Sequence, residues 1–152
     1  VNKKSAGILA YRFNRSVLEV FLVHPGGPFW EKRDKGVWSI PKGEFTDEEP
    51  LQAALREFGE ETGVHVEGNF QQLTPIKQKS GKVIYIFALE TDNPILEITS
   101  NLFEMEWPPH SGIKQKFPEV DKGGWFTIVE ALQKIVPGQA GFILELQRKL
   151  EG

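Results

Sequence analysis

The chain reads as α/β, a mixed central sheet packed between helices, and three features carry that reading. Apolar and β-branched runs alternate with helical patterns along the whole length, turn residues separate them, and no long linker, repeat or low-complexity segment interrupts the order. Strands are expected at 6–13 and 18–24, divided by the turn residues Asn14 to Ser16, and again at 37–40. Two more are expected at 70–78 and 83–90, separated at Ser80-Gly81. A strand at 124–128 leads into a helix over 129–135, Pro137-Gly138 interrupts the chain, and a last amphipathic helix ends near Leu150.

One more helix lies between the strands at 37–40 and 70–78. Leu51, Ala54, Leu55 and Phe58 follow the i, i+3, i+4, i+7 spacing of a core-facing stripe. Pro50 suits a first turn, where backbone N–H groups have no intrahelical partner, and Asp47 to Glu49 supply capping and dipole-compatible charge. Gly63 is the left-handed stop signal.

The end of this helix breaks the rules that its start obeys. Glu57, Glu60 and Glu61 are related by i,i+3 and i,i+4 spacing, so they share a face and repel one another. Glu60 and Glu61 also fall in the last turn, where the helix dipole favours cations. The acids lie roughly 100° around the cylinder from the apolar stripe, flanking the core. A solvated acidic face tied down by Arg56 or a lysine is one account, since each unfavourable pair costs only about 0.2–0.5 kcal/mol. A bound divalent cation is the other, because it reverses the sign of both unfavourable effects. Ahead of the helix, Trp38-Ser39-Ile40 reads as a short apolar strand that breaks at Pro41 and enters a loop at Gly43. Such a strand, loop and helix bring a glycine carbonyl and Lys42 toward the acids.

Composition narrows the function without specifying it. The 152 residues suit one domain over 1–152 with a real core, and the net charge of −3 supplies no overall basic field. Neither a membrane nor an extended nucleic acid is therefore an expected partner. The lack of cysteine excludes disulfides and thiolate metal sites. No apolar run approaches the ~20 residues of a transmembrane helix, and Val1-Asn2-Lys3-Lys4 starts without the apolar region of a signal peptide, so the expected location is cytoplasmic.

The segment Gly43 to Val64 resembles the Nudix box, G-x5-E-x7-R-E-U-x-E-E-x-G-U with U an apolar residue. Arg56, Glu57, Phe58, Glu60, Glu61, Gly63 and Val64 all match its second half. The first half is one residue short: counting back from Arg56 places the first glutamate at Glu48, whereas counting forward from Gly43 selects Glu49. Glu48 is preferred, because a deletion in a loop is easier to accommodate than one in a helix, where it would rotate everything beyond it. The resemblance is sharp over this segment and topological elsewhere. It implies a single Nudix domain, the Nudix α/β/α sandwich, and hydrolysis of a pyrophosphate bond.

A carboxylate cluster with neither Cys nor a Ser-His-Asp pattern beside it leaves water as the nucleophile. Oxygen ligands favour Mg²⁺ or Mn²⁺ over zinc, and such an ion serves an in-line displacement at phosphorus. The resemblance implies that Glu57, Glu60 and Glu61 hold one or more metals, with Glu57 and Glu61 the surest ligands, and that Gly43 offers its carbonyl. Glu57 or Glu60 is the candidate base. Arg56 is expected to orient the glutamates by charge-assisted hydrogen bonds rather than to touch substrate. In the family a further ligand often comes from a loop before a Trp-containing strand near the C-terminus. Glu119, ahead of Trp125, occupies a comparable place; Asp121 is its competitor, and a plain polar loop is the alternative.

Substrate contacts are expected from the stretch His24 to Gly36, where Phe29 and Trp30 precede Lys32, Arg33 and Lys35, and from Lys42 beyond it. Phe29 or Trp30 would stack on a base while a cation meets phosphate oxygens; alternatively both aromatics cap the core and the cations are solvated. Trp107-Pro108-Pro109, with Glu104 and Glu106 before it, reads as an ordered surface loop able to cover the pocket. His65 follows the box and His24 and His110 lie in loops, each structural or solvated. The pattern is similar to the diadenosine polyphosphate hydrolase and nucleoside triphosphate branches of MutT-like Nudix enzymes. The expected function is thus Mg²⁺-dependent hydrolysis of a small nucleotide with a diphosphate linkage, dinucleoside polyphosphates slightly favoured. Its rivals are removal of pyrophosphate from RNA 5′ ends and a non-catalytic nucleotide-sensing domain; the three intact acids argue against the sensor. Oligomeric state leaves no signal in the sequence.

Overall fold

At the centre of the molecule lies strand β1 (Lys4–Asn14), buried on both faces, in a computed structural model that describes residues 3–95 and 97–151. Ala6, Ile8 and Ala10 turn to one face of the sheet, Leu9 and Tyr11 to the other. β1 pairs antiparallel with β2 (Val17–Pro25) and with the short β3 (Lys42–Phe45), and parallel with β6 (Val83–Glu90). The two-residue strands β4 (Gln71–Gln72) and β5 (Ile76–Lys77) extend the β6 edge, and β9 (Val120–Thr127) closes the β2 edge. The result is a mixed seven-stranded sheet.

Helix α1 (Pro50–Thr62) covers the face of Ala6, Ile8 and Ala10. Its Ala53, Ala54 and Phe58 are fully buried there, and Leu51 and Leu55 pack at the margin, as the stripe predicts. Helices α2 (Ile128–Lys134) and α3 (Ala140–Glu151) cover the other face through Ile128, Ala131, Phe142, Ile143 and Leu146. This is the expected α/β/α sandwich. Thr127 caps α2 in a reciprocal capping box with Glu130, and a 3₁₀ turn at Pro137–Gln139 separates the last two helices.

Four local expectations are corrected. Residues 37–40 form no continuous strand, because their backbone groups are claimed elsewhere: Trp38 pairs with Lys134 and Val136, Ser39 with Val23, and the Ile40 N–H donates to the Gln139 side chain at 2.9 Å. The strand falls instead at Lys42–Phe45, on residues read as loop. The run 70–78 splits at Thr74-Pro75, where the Glu145 carboxylate of α3 accepts from the Thr74 N–H and hydroxyl. The surface loop at 104–109 is part of a hairpin, β7 (Leu102–Glu106) with β8 (Lys114–Pro118), whose Glu104–Lys116 and Glu106–Lys114 pairs oppose charges across the strands. Finally, Glu49 occupies the N-cap of α1 without a side-chain cap bond, so the acids before the helix do not cap it.

Candidate active site

The acid cluster sits where β3, the end of α1 and the start of β9 meet. Gly63 takes the left-handed conformation, φ +76°, and closes α1 with an N–H bond to the Gly59 carbonyl at 2.8 Å. Two further carbonyls of the last turn are satisfied from outside the helix: Thr99 N–H donates to Thr62 O and Asn101 N–H to Glu60 O, both at 3.0 Å. These donors place partial positive charge where the helix dipole is negative. The same segment reaches the next element, since the Asn101 carbonyl accepts the Glu119 N–H at 2.8 Å and Ser100 Oγ accepts the Val120 N–H at 3.0 Å. Residues 99–101 thus tie the end of α1 to Glu119. Sequence reasoning missed them, because the contacts are made mostly by main-chain groups.

Arg56 holds the acids from one side. Its guanidinium grips Glu48 through both Nε and Nη2, the closest contact being 2.6 Å, and its Nη1 donates to Glu57 at 3.2 Å and to Glu60 at 3.0 Å. Its own pKa is raised by Glu48 first, and Glu48 is pushed below the usual carboxylate range by the same bond. Glu49 stands apart, its carbonyl accepting the Ala53 N–H at the helix start.

Gly43 lies directly against Glu57. A Cβ built on this glycine would fall on the Glu57 carboxylate, so only a bare backbone fits between strand β3 and the helix. Burial, then the charge of Glu60, pushes the Glu57 carboxyl up to about 7, with Arg56 opposing. Glu61 is pushed higher, to about 8, by burial and then by Glu57; Lys42 pulls it down and Glu119 pushes it up. Lys42 itself is depressed by burial and by Lys82, against the pull of Glu61, Glu44 and Glu57.

Lys42, Glu61 and Glu119 line one cavity of about 170 Å³, together with Val23, Pro25 and Val120. Three of the sequence-predicted residues, from β3, α1 and the junction of β8 with β9, therefore line one cavity. Asp121 does not join them, because its carboxylate accepts from His24 Nδ1 at 2.9 Å. A larger cavity of about 640 Å³ is bordered by Arg56 and Glu48 with Lys3, Lys4, Glu44 and Phe45, and shares no residue with the smaller one.

Phe29 and Trp30 lie in the loop that follows β2, whose last residue, Pro25, lines the smaller cavity. Phe29 is 55% exposed, so it does not cap the core. The two rings meet edge to face at 4.8 Å, and the Arg33 guanidinium lies 4.8 Å from the Phe29 ring centre and 5.6 Å from that of Trp30. Lys32 and Lys35 are exposed. Phe103 of the β7–β8 hairpin closes on the base of the loop at Gly27, where a Cβ would meet its ring at 2.9 Å. His24, at the boundary between the expected strand 18–24 and the loop after it, is a wholly buried residue of β2, while His65 and His110 are exposed.

The family model described as NUDIX domain matches residues 1–146. This chain belongs to the Nudix family. Among solved structures it is similar to the NUDIX domain of Shewanella oneidensis NrtR complexed with ADP ribose, at 18% identity over 99% of this chain and 89% of that one, TM-score 0.66. It is also similar to a C. elegans Ap4A hydrolase binary complex, at 19% identity over 99% and 98% of the two chains, TM-score 0.64. A mutT/nudix family protein from Listeria innocua matches at 14% identity over 98% and 94%, TM-score 0.67. No curated protein matches the chain. At these identities the likeness is one of fold, the Nudix sandwich. Nudix domains are pyrophosphohydrolases acting on phosphoric anhydride bonds, and the chain's chemistry falls in that class.

The Nudix family implies a divalent cation, and the donors at the end of α1 suit a hard one. They are all oxygens: three glutamates on one helix face, Glu119 across the cavity, and the backbone of Gly43 pressed against Glu57. Among the described residues no three His, Cys, Asp or Glu side chains are gathered into a ready cage.

Proposed function

We propose that this Nudix protein is a Mg²⁺- or Mn²⁺-dependent hydrolase of small nucleotides carrying a diphosphate linkage, with dinucleoside polyphosphates favoured over nucleoside triphosphates. One observation carries the reading: Lys42, Glu61 and Glu119 share a small cavity at the end of a helix on which burial raises the Glu57 and Glu61 carboxyls above the usual carboxylate range. Glu57, Glu60 and Glu61, the Gly43 carbonyl and Glu119 would hold the cation. When bound, it polarises a phosphoryl oxygen and acidifies a water.

The remaining roles belong to the chain's own groups. Arg56 holds Glu57 and Glu60 in place through its donor fork and is anchored by Glu48, which supports Glu48 as the first glutamate of the box. Glu57 or Glu60 accepts the proton of the attacking water; the water oxygen bonds to phosphorus, the bridging P–O bond breaks, and the departing phosphate carries away its electron pair. Lys42 meets the phosphate oxygens with its ammonium. A cavity of about 170 Å³ takes phosphate groups but not a nucleoside, for which sites usually need roughly 300 Å³ or more. In this reading the base lies outside it, over Phe29 and Trp30, whose rings the Arg33 guanidinium already meets. Solved relatives in complex with ADP ribose and named for Ap4A hydrolysis support a ligand of this class.

The test is a panel of dinucleoside polyphosphates, nucleoside triphosphates, nucleotide sugars and triphosphorylated RNA, incubated with Mg²⁺ or Mn²⁺ in ¹⁸O-labelled water. Metal-dependent turnover strongest on the dinucleotides is expected, with label in one phosphate product. Preference for RNA 5′ ends would replace the substrate assignment. Tight nucleotide binding with no turnover of any compound would replace the enzyme reading by a sensor.

A further inference from the structure

We propose that His24 is a positioning residue whose ring ties the Phe29–Arg33 loop to the start of β9, so that one buried side chain sets both the base platform and Glu119. The inference rests on the roles given above to that loop and to Glu119.

His24 has no exposed surface, and its ring meets Trp38 edge to face at 5.2 Å. An apolar side chain would fill that volume without needing partners, whereas a buried polar ring must be hydrogen-bonded. Both nitrogens are bonded, and in different directions: Nδ1 to the Asp121 carboxylate at 2.9 Å, Nε2 to the Arg33 carbonyl at 2.5 Å. Both neighbours present acceptor oxygens, the Asp121 carboxylate and the Arg33 carbonyl.

Each partner leads to a different part of the site. Arg33 carries the guanidinium that lies over Phe29 and Trp30, and the adjoining Asp34 accepts from Trp38 Nε1 at 2.8 Å and from Lys134 Nζ at 2.7 Å. The far end of the aromatic loop is thus pinned at two successive residues, of which His24 supplies the first. Asp121 lies two residues beyond Glu119, at the point where the β2–β9 register shifts between His24 and Pro25. The same irregularity lets the Gly26 N–H reach the Glu119 carbonyl at 2.9 Å. Regular pairing would not hold this stretch of β9, and the His24–Asp121 bond fixes it where the ladder fails.

The two bonds can be separated. Asn in place of His keeps a donor near the Nδ1 position and cannot reach Arg33; Gln places its donor near Nε2 and gives up Asp121. His24→Asn is expected to weaken binding of diadenosine tetraphosphate in EDTA by about 10-fold, read by tryptophan fluorescence, while Mn²⁺ affinity by calorimetry changes less than about 2-fold. His24→Gln is expected to do the reverse, with Mn²⁺ affinity falling about 10-fold. Wild-type binding in both variants, or equal loss of both ligands in both, overturns the proposal, the second result marking His24 as structural only. If neither variant folds, Asp121→Ala carries the metal arm, and unchanged Mn²⁺ affinity there overturns it. Because both readouts are binding, a wild-type protein that hydrolyses nothing defeats the enzyme reading and leaves this one to its own result. A wild-type protein that binds no dinucleotide overturns the loop half of both.

Discussion

Gly43 and Glu57 show how closely the site depends on single residues. The glycine is required by contact: its α-carbon faces a carboxylate with no room for a methyl group. Gly43→Ala should therefore lower kcat/KM by roughly 10- to 100-fold through displacement of Glu57, with the thermal midpoint within a few degrees of wild type. A variant of full activity would mean that Glu57 does not need its observed place. Arg56 was legible in the sequence as an orienting group, because a guanidinium among glutamates has few other uses. That it also grips Glu48 required the loop to fold back, which spacing alone does not show. The two bonds of His24 left no signal in the sequence, because its partners lie 9 and 97 residues away.

At the scale of elements, α1 was readable almost to the residue. Its stripe, its proline start and its glycine stop are local signals, and local signals survive folding. Gly63→Ala should cost about 1–2 kcal/mol, seen in denaturant unfolding, since φ is +76° there and an added Cβ would sit 2.9 Å from the Thr99 carbonyl. No loss of stability would mean that the helix can end differently. Strand 37–40 failed as a prediction for the opposite reason. Its apolar pattern is real, and Trp38 and Ile40 are buried, but its hydrogen-bond partners are divided among Val23 of β2, the chain at Lys134 and Val136, and the Gln139 side chain. The β7–β8 hairpin was hidden by the prolines at its turn and by the charges that pair across it.

For the molecule as a whole, the acid cluster links stability to pH. Glu61 holds its proton up to about pH 8 in the folded state, against an ordinary value of 4.5, so the fold binds protons that the unfolded chain has released. Its contribution to stability is complete below about pH 4.5 and is lost as pH rises through about 8; Glu57, raised to about 7, acts in the same direction. The cation-free protein should therefore lose thermal stability between pH 6 and pH 9, and Mg²⁺ should restore much of it by binding only the folded, ionised site. A metal-free profile that is flat, or that rises toward pH 9, would contradict this linkage. The general architecture followed from the alternation of patterns, while the approach of Glu119 to Lys42 and Glu61 lay beyond any local signal. The most direct test of the claim that these acids await a cation is calorimetric titration of Mn²⁺ near pH 7, in buffers of different ionisation enthalpy. The wild-type protein should bind Mn²⁺ with release of protons, and Glu61→Gln should bind it at least roughly 10-fold more weakly with less proton release. Absence of binding in the wild type, or equal binding and proton release in Glu61→Gln, would contradict the account.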